Sequence, residues 1–109
     1  MDGEKLILRN ENEIHFIKMG NLLAITVEDY LCHFHIENEA VFVCTKALKE
    51  IALQLPDYFI KINRNCIVNI KHVKSLCIKK KSVKLSSGLS FRYAIKYLKA
   101  LEQALGLKQ

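Results

Sequence analysis

Between positions 30 and 37 the chain alternates without a break: Tyr30, Cys32, Phe34 and Ile36 fall on one side, and Leu31, His33, His35 and Glu37 on the other. A side-chain period of two belongs to an extended strand with one face on a core and the other in water. Such a strand must pair with others, which commits its neighbourhood to antiparallel sheet. Asn38-Glu39 supplies a hairpin turn, and residues 40–44 the return strand. Upstream, residues 22–27 form a continuous run, apolar but for Thr26, the mark of a strand covered on both faces. Residues 13–19 alternate as well, with Ile14 and Phe16 against His15 and Ile17, before Gly20-Asn21 turns the chain. Residues 1–12 are polar apart from Leu6-Ile7-Leu8 and read as an N-terminal extension: a linker end, a pairing strand or the remnant of an added tag. The folded domain is expected over residues 13–109.

Helical spacing appears twice. Within residues 45–55, Leu48, Ile51 and Leu55 fall at i, i+3 and i+7, with Thr45 placed to cap the helix and Pro56 to stop it. From Tyr93 onward, Ala94, Tyr97, Leu98, Leu101 and Leu105 form a stripe ended by Gly106, with Lys96 and Lys99 on the opposite face. Between the helices lie short strands at 73–78, 83–85 and 89–91. Lys71-His72, a Lys79-Lys80-Lys81 tip and Ser86-Ser87-Gly88 mark the turns. The expected fold class is mainly β: small stacked antiparallel sheets with one short internal helix and a C-terminal helix.

The net charge of +6 hides a segregation. Residues 1–57 hold 10 acidic and 5 basic side chains, whereas residues 58–101 hold 11 basic ones and no Asp or Glu. Solubility needs no such separation of sign; a polyanionic partner does. No apolar run approaches the roughly 20 residues of a membrane helix. The N-terminus also lacks the basic-then-apolar pattern of a signal peptide, so the expected location is the cytoplasm. Cys32, Cys44, Cys66 and Cys77 sit inside apolar runs without CxxC spacing and read as buried, reduced thiols.

Residues 58–69 join these two lines of reasoning. Phe59-Ile60-Lys61-Ile62 and Cys66-Ile67-Val68 flank a polar knot, Asn63-Arg64-Asn65. Strict alternation would place Arg64 beside Ile60, Ile62, Cys66 and Val68, and a buried, unpaired guanidinium is too costly to expect. Either the chain breaks at 63–65 or the strand twists there. Both routes present Asn-Arg-Asn on the surface of a β scaffold, where Arg suits guanine, Asn suits adenine and both reach phosphates.

Phe59-Ile60-Lys61-Ile62-Asn63-Arg64-Asn65-Cys66-Ile67-Val68-Asn69, followed by His72-Val73-Lys74-Ser75-Leu76, resembles the LytTR-type DNA-binding domain of bacterial response regulators. That family's pattern runs Phe-x-Arg-x-His-(Arg/Asn)-Ser-(Tyr/Phe)-Ile-Val-Asn, then a (His/Asn)-Ile-x-x-Ile segment. Lys61 stands in place of its Arg, Asn63 of its His and Asn65 of its Ser, substitutions that keep hydrogen-bonding capacity. The resemblance extends more weakly over residues 13–105. It implies a LytTR-like β sandwich. The Glu28-Asp29-Tyr30 loop would then be a major-groove loop, whose acids would accept from cytosine N4 or avoid the phosphates. Lys96 would stand at the place of a base- or phosphate-contacting Arg.

Other chemistry lacks its residues. His33 and His35 share a strand face, yet no HxxxH or CxxC completes a metal set, and His15 and His72 stand apart. There is no Gly-rich phosphate loop and no GxSxG. No enzyme, cofactor, metal or catalytic residue is expected. The expected function is sequence-specific binding of double-stranded DNA by a bacterial transcriptional regulator, with loops entering the major groove. Arg64 and Asn63 are the expected base readers. Asn65, Lys61 and Lys96 are expected to make phosphate or mixed contacts, Asp29 and Tyr30 to lie in the second loop, and Lys79, Lys80, Lys81 and Lys99 to hold the backbone. The resemblance further implies paired direct repeats, a dimer on DNA, and a receiver or sensor module in a longer chain. Two rivals are an RNA- or single-strand-binding module, for which Tyr58, Tyr93 and Tyr97 are the stacking candidates in the basic half, and a protein-interaction domain docking an acidic partner.

Overall fold

In the computed structural model, which describes residues 4–107, the chain is mainly β with two helices. The ends of the expected extension (1–3) and of the expected domain (108–109) lie outside the described residues. The chain divides after Leu55 into two compact units.

In the first unit, β1 (Lys5–Arg9) pairs antiparallel with β2 (Ile14–Lys18), Leu6 opposite Ile17 and Ile7 opposite Phe16. Leu6-Ile7-Leu8 is therefore a pairing strand. The Asn10 carboxamide accepts from the N–H groups of Asn12 and Glu13 at 2.9 and 3.0 Å and shapes the hairpin loop. Leu6, Leu8 and Ile17 are buried, while Ile14 and Phe16 are exposed. The apolar face marked by the alternation of 13–19 is thus the outer one. Leu6 and Leu8 on the paired strand decide which face turns inward.

A 3-10 turn (Met19–Asn21) leads into β3 (Leu22–Glu28), buried from Leu22 through Thr26 as its apolar residues require, with the polar Thr26 buried among them. β4 (Leu31–Ile36) pairs with β3 and with β5 (Phe42–Cys44), all antiparallel. Cys32, Phe34 and Ile36 point inward as expected, but Tyr30 does not join them and is 96 % exposed. It belongs to the turn, because Glu28 already faces Leu31 across the ladder. The helix expected over 45–55 is shorter: α1 spans Leu48–Ala52. Ala47 takes the cap position without a side-chain bond, so Thr45 falls outside the helix. Ile51 is fully buried and Leu53 exposed.

The second unit begins with the hairpin of β6 (Phe59–Asn63) and β7 (Cys66–Asn69). Asn69, fully buried, accepts from the Lys71 N–H at 2.9 Å and caps a 3-10 turn (Ile70–His72). β8 (Val73–Cys77), β9 (Ser82–Leu85) and β10 (Ser90–Arg92) form a three-stranded antiparallel sheet. Gly88, at φ 103°, makes the last turn in a conformation that L side chains rarely adopt. The C-terminal helix α2 (Ile95–Ala104) packs on β6 through its stripe, with Leu101 fully buried. It ends in a Schellman motif: Gly106 N–H donates to the Gln103 carbonyl and Leu107 N–H to the Glu102 carbonyl, at 3.1 and 2.9 Å. Gly106, at φ 77°, supplies the left-handed residue this needs.

Cys32, Cys44 and Cys66 are buried, but Cys77 is exposed. The apolar run around it misled, because Cys77 falls on the outward register of β8. Burial pushes the Cys66 thiol up to about 12, and burial also raises Cys32 and Cys44.

Candidate nucleic-acid interface

The site in the second unit is built on a defect in the β6–β7 ladder. Lys61 faces Ile67 and Asn63 faces Cys66, so Ile62 is an extra residue on one strand. This bulge shifts the side-chain phase. A two-residue turn follows, and Arg64 and Asn65 stand exposed at its tip. The apparent conflict between alternation and a buried guanidinium is resolved by breaking the strand at that point.

Asn63 holds the turn rigid. Its side-chain oxygen accepts from the Asn65 N–H at 2.7 Å, and its Nδ2 donates to the Arg92 carbonyl at 2.7 Å. Neighbouring bonds extend the brace. Ala94 N–H donates to the Ile62 carbonyl, and Tyr93 N–H to the Lys81 carbonyl, both at 2.9 Å. The short segment Arg92–Ala94 therefore ties the Arg64 turn to the β8–β9 loop. That loop carries Lys79, Lys80 and Lys81, all exposed, with Lys81 at φ 52°. Lys61 is exposed on β6, and Lys96 and Lys99 are exposed on α2. Lys96 Nζ lies 5.7 Å from the centroid of the Tyr97 ring, within cation–π range.

Asp29 and Tyr30 form the tip of the β3–β4 hairpin in the first unit. Both have positive φ, 52° and 66°, as a type I′ turn demands. Asp tolerates this backbone, but Tyr is strained there at a cost of about 1–3 kcal/mol. His35 Nε2 lies 2.9 Å from Thr26 Oγ1, and burial followed by the adjacent His33 lowers its pKa. His15 stacks on Phe42 and lies 3.2 Å from Glu39. Among the described residues no group of three or more His, Cys, Asp or Glu lies close enough to hold a metal. No helix among them is long and apolar enough to cross a membrane.

Arg92, Lys84 and the serines around them were not singled out from sequence. The only signal available was their membership of the acid-free stretch.

A mainly β scaffold that turns arginine and lysine outward on its hairpins offers the donors that a nucleic-acid backbone accepts from. Comparison with known proteins makes the class specific. The LytTr DNA-binding domain pattern matches residues 12–106, and the chain belongs to that family. It is 26 % identical over 108 residues to Transcriptional regulatory protein LytR of Staphylococcus aureus strains N315 and MW2, an alignment covering 95 % of this chain and 44 % of theirs. The chain thus spans less than half the length of these relatives. A LytTr DNA-binding domain from Bacillus cereus has the same fold, with a TM-score of 0.80 at 19 % identity over 94 % of this chain and 97 % of that one.

Proposed function

We propose that this domain binds double-stranded DNA sequence-specifically, as the output part of a bacterial transcriptional regulator working in the cytoplasm. The observation that carries this reading is the exposed Arg64–Asn65 turn, immobilised by both polar atoms of the Asn63 side chain, in a chain of a DNA-binding family. Arg64 reads a base edge in the major groove, where a bidentate pair with guanine discriminates by about 1–3 kcal/mol. Asn63 sets the geometry of the reader, and its second amide N–H serves base-edge readout beside Arg64. Asn65, Lys61 and Lys96 take phosphate or mixed contacts. Lys79, Lys80, Lys81 and Lys99 hold the backbone. The Asp29–Tyr30 tip supplies a second groove loop.

Within the basic half the single-strand rival finds little support, because stacking needs exposed rings. Tyr93 is buried, Tyr97 is half-buried, and Tyr58 is half-buried beneath Lys71, whose Nζ lies 4.0 Å from its ring centroid. By analogy with the family, the domain works in a longer chain behind a receiver or sensor module, and as a dimer on direct repeats. Selection of bound duplexes from a random pool tests the whole reading. A recovered repeated site supports it; enrichment of no sequence, or stronger retention of single strands, overturns it.

A further inference from the structure

The outer face of the β8–β9–β10 sheet has a composition of its own. Cys77 and Arg92 both stand opposite Ser82, and Ser75 and Ser90 both stand opposite Lys84. These six side chains share one side of the sheet, and all but the half-buried Ser82 are exposed. The other side buries Val83 and Leu85 completely. The outer set is hydroxyls, one thiol and two cations, without a carboxylate or a large apolar group. Ordinary solvated strand faces mix both signs of charge; this one carries a single sign. At its edge Lys80, Ser82, Ser90 and Arg92 line an open cleft of about 400 Å³. A guanidinium fork, an ammonium and two hydroxyls are the donors that a phosphodiester accepts from. The cleft is also held in place, since the Arg92 carbonyl is bonded to Asn63 and the next N–H to Lys81.

We propose that this sheet face is a docking surface for the sugar-phosphate backbone of the duplex. The Lys80–Ser82–Ser90–Arg92 cleft takes one phosphate and Lys84 takes another, without regard to base sequence. The inference rests on the duplex-binding reading and deepens it: the Arg64 turn reads bases, and the sheet face fixes the register in which it reads them.

Cys77 provides a reporter on the surface itself, because it is exposed while the other three thiols are buried. Two measurements on the whole chain test the proposal. In a salt series, Arg92→Gln with Lys84→Gln flattens the slope of log affinity against log salt by about 1.8, two phosphates at about 0.9 each. The affinity lost is the same on every duplex sequence. In the second, alkylation of Cys77 by iodoacetamide, followed by intact mass, slows several-fold in the presence of duplex and is unaffected by inorganic phosphate at equal phosphate concentration. Cys77→Ser identifies the modified thiol. An unchanged salt slope in the double variant, with wild-type protein binding normally, overturns the proposal and leaves the base-reading turn standing. An unprotected Cys77, or equal protection by inorganic phosphate, also overturns it. Failure of the wild-type chain to bind any duplex removes both readings together.

Discussion

Arg64 and Asn63 are neighbours with different work, and substitution separates them. Arg64 is exposed at the turn, so Arg64→Ala leaves stability nearly unchanged while removing the preference between matched and mismatched duplexes, by about 1–3 kcal/mol at one base pair. Competition binding checks this, and equal losses on all sequences would reject base readout by Arg64. Asn63→Ala deletes two hydrogen bonds, to Asn65 and Arg92, and costs about 1–3 kcal/mol of stability, read as a thermal midpoint lower by about 4–8 °C per kcal/mol. Cys66 makes a prediction in pH. The fold holds its thiol neutral up to about 12, whereas the unfolded chain releases the proton near 9.0. Stability from this group is therefore complete below pH 9.0 and lost as pH climbs toward 12. Urea midpoints should fall on that alkaline side, and less steeply in Cys66→Val. The exposure of Arg64 was legible in the sequence, because no burial could be afforded for it. The role of Asn63 was not, since its partner Arg92 lies 29 positions away.

Elements were legible where their pattern was enforced by a core. The continuous run of β3 and the alternation of β4 both appear as strands, because each has a face that must be covered. Predictions failed where local pattern met no such demand. The reading of Tyr30 as a strand residue came from its period, yet two-residue turn closure at Glu28 and Leu31 removes it from the strand. The alternation of β2 left its inward face open, because that choice depends on β1, whose partnership a single strand's pattern does not encode. The Ile62 bulge has no sequence mark either, as it is visible only in the cross-strand register. The Asp29–Tyr30 turn is the element whose sequence fits its backbone worst. Replacing it by Asn-Gly, residues suited to a type I′ turn, should raise stability by about 1 kcal/mol. If the strained tip enters a groove, the same change should weaken duplex binding. A variant both more stable and equally tight in binding would show that the tip touches nothing.

Charge is segregated at the scale of the whole chain, and the structural boundary follows it. Residues 1–55 carry 9 acidic and 5 basic side chains, whereas residues 56–109 carry 2 acidic and 12 basic. The division into units after Leu55 thus falls within two residues of the point where carboxylates stop. Polyanion binding was legible from composition for this reason, while the particular surface was not, because register decides which lysines share a face. The consequence is a strong dependence on salt. If about six cations of the second unit each neutralise one phosphate, log affinity falls linearly with log salt with a slope near −5, a loss of about 10³ between 50 and 200 mM. Single-stranded nucleic acid, with lower charge density, would give about 0.7 per contact rather than 0.9. A domain that merely docks an acidic protein would give no duplex shift at moderate salt. Parallel salt titrations with duplex and with the corresponding single strand therefore separate the three readings, and a flat duplex line would reject the electrostatic basis of the proposed function.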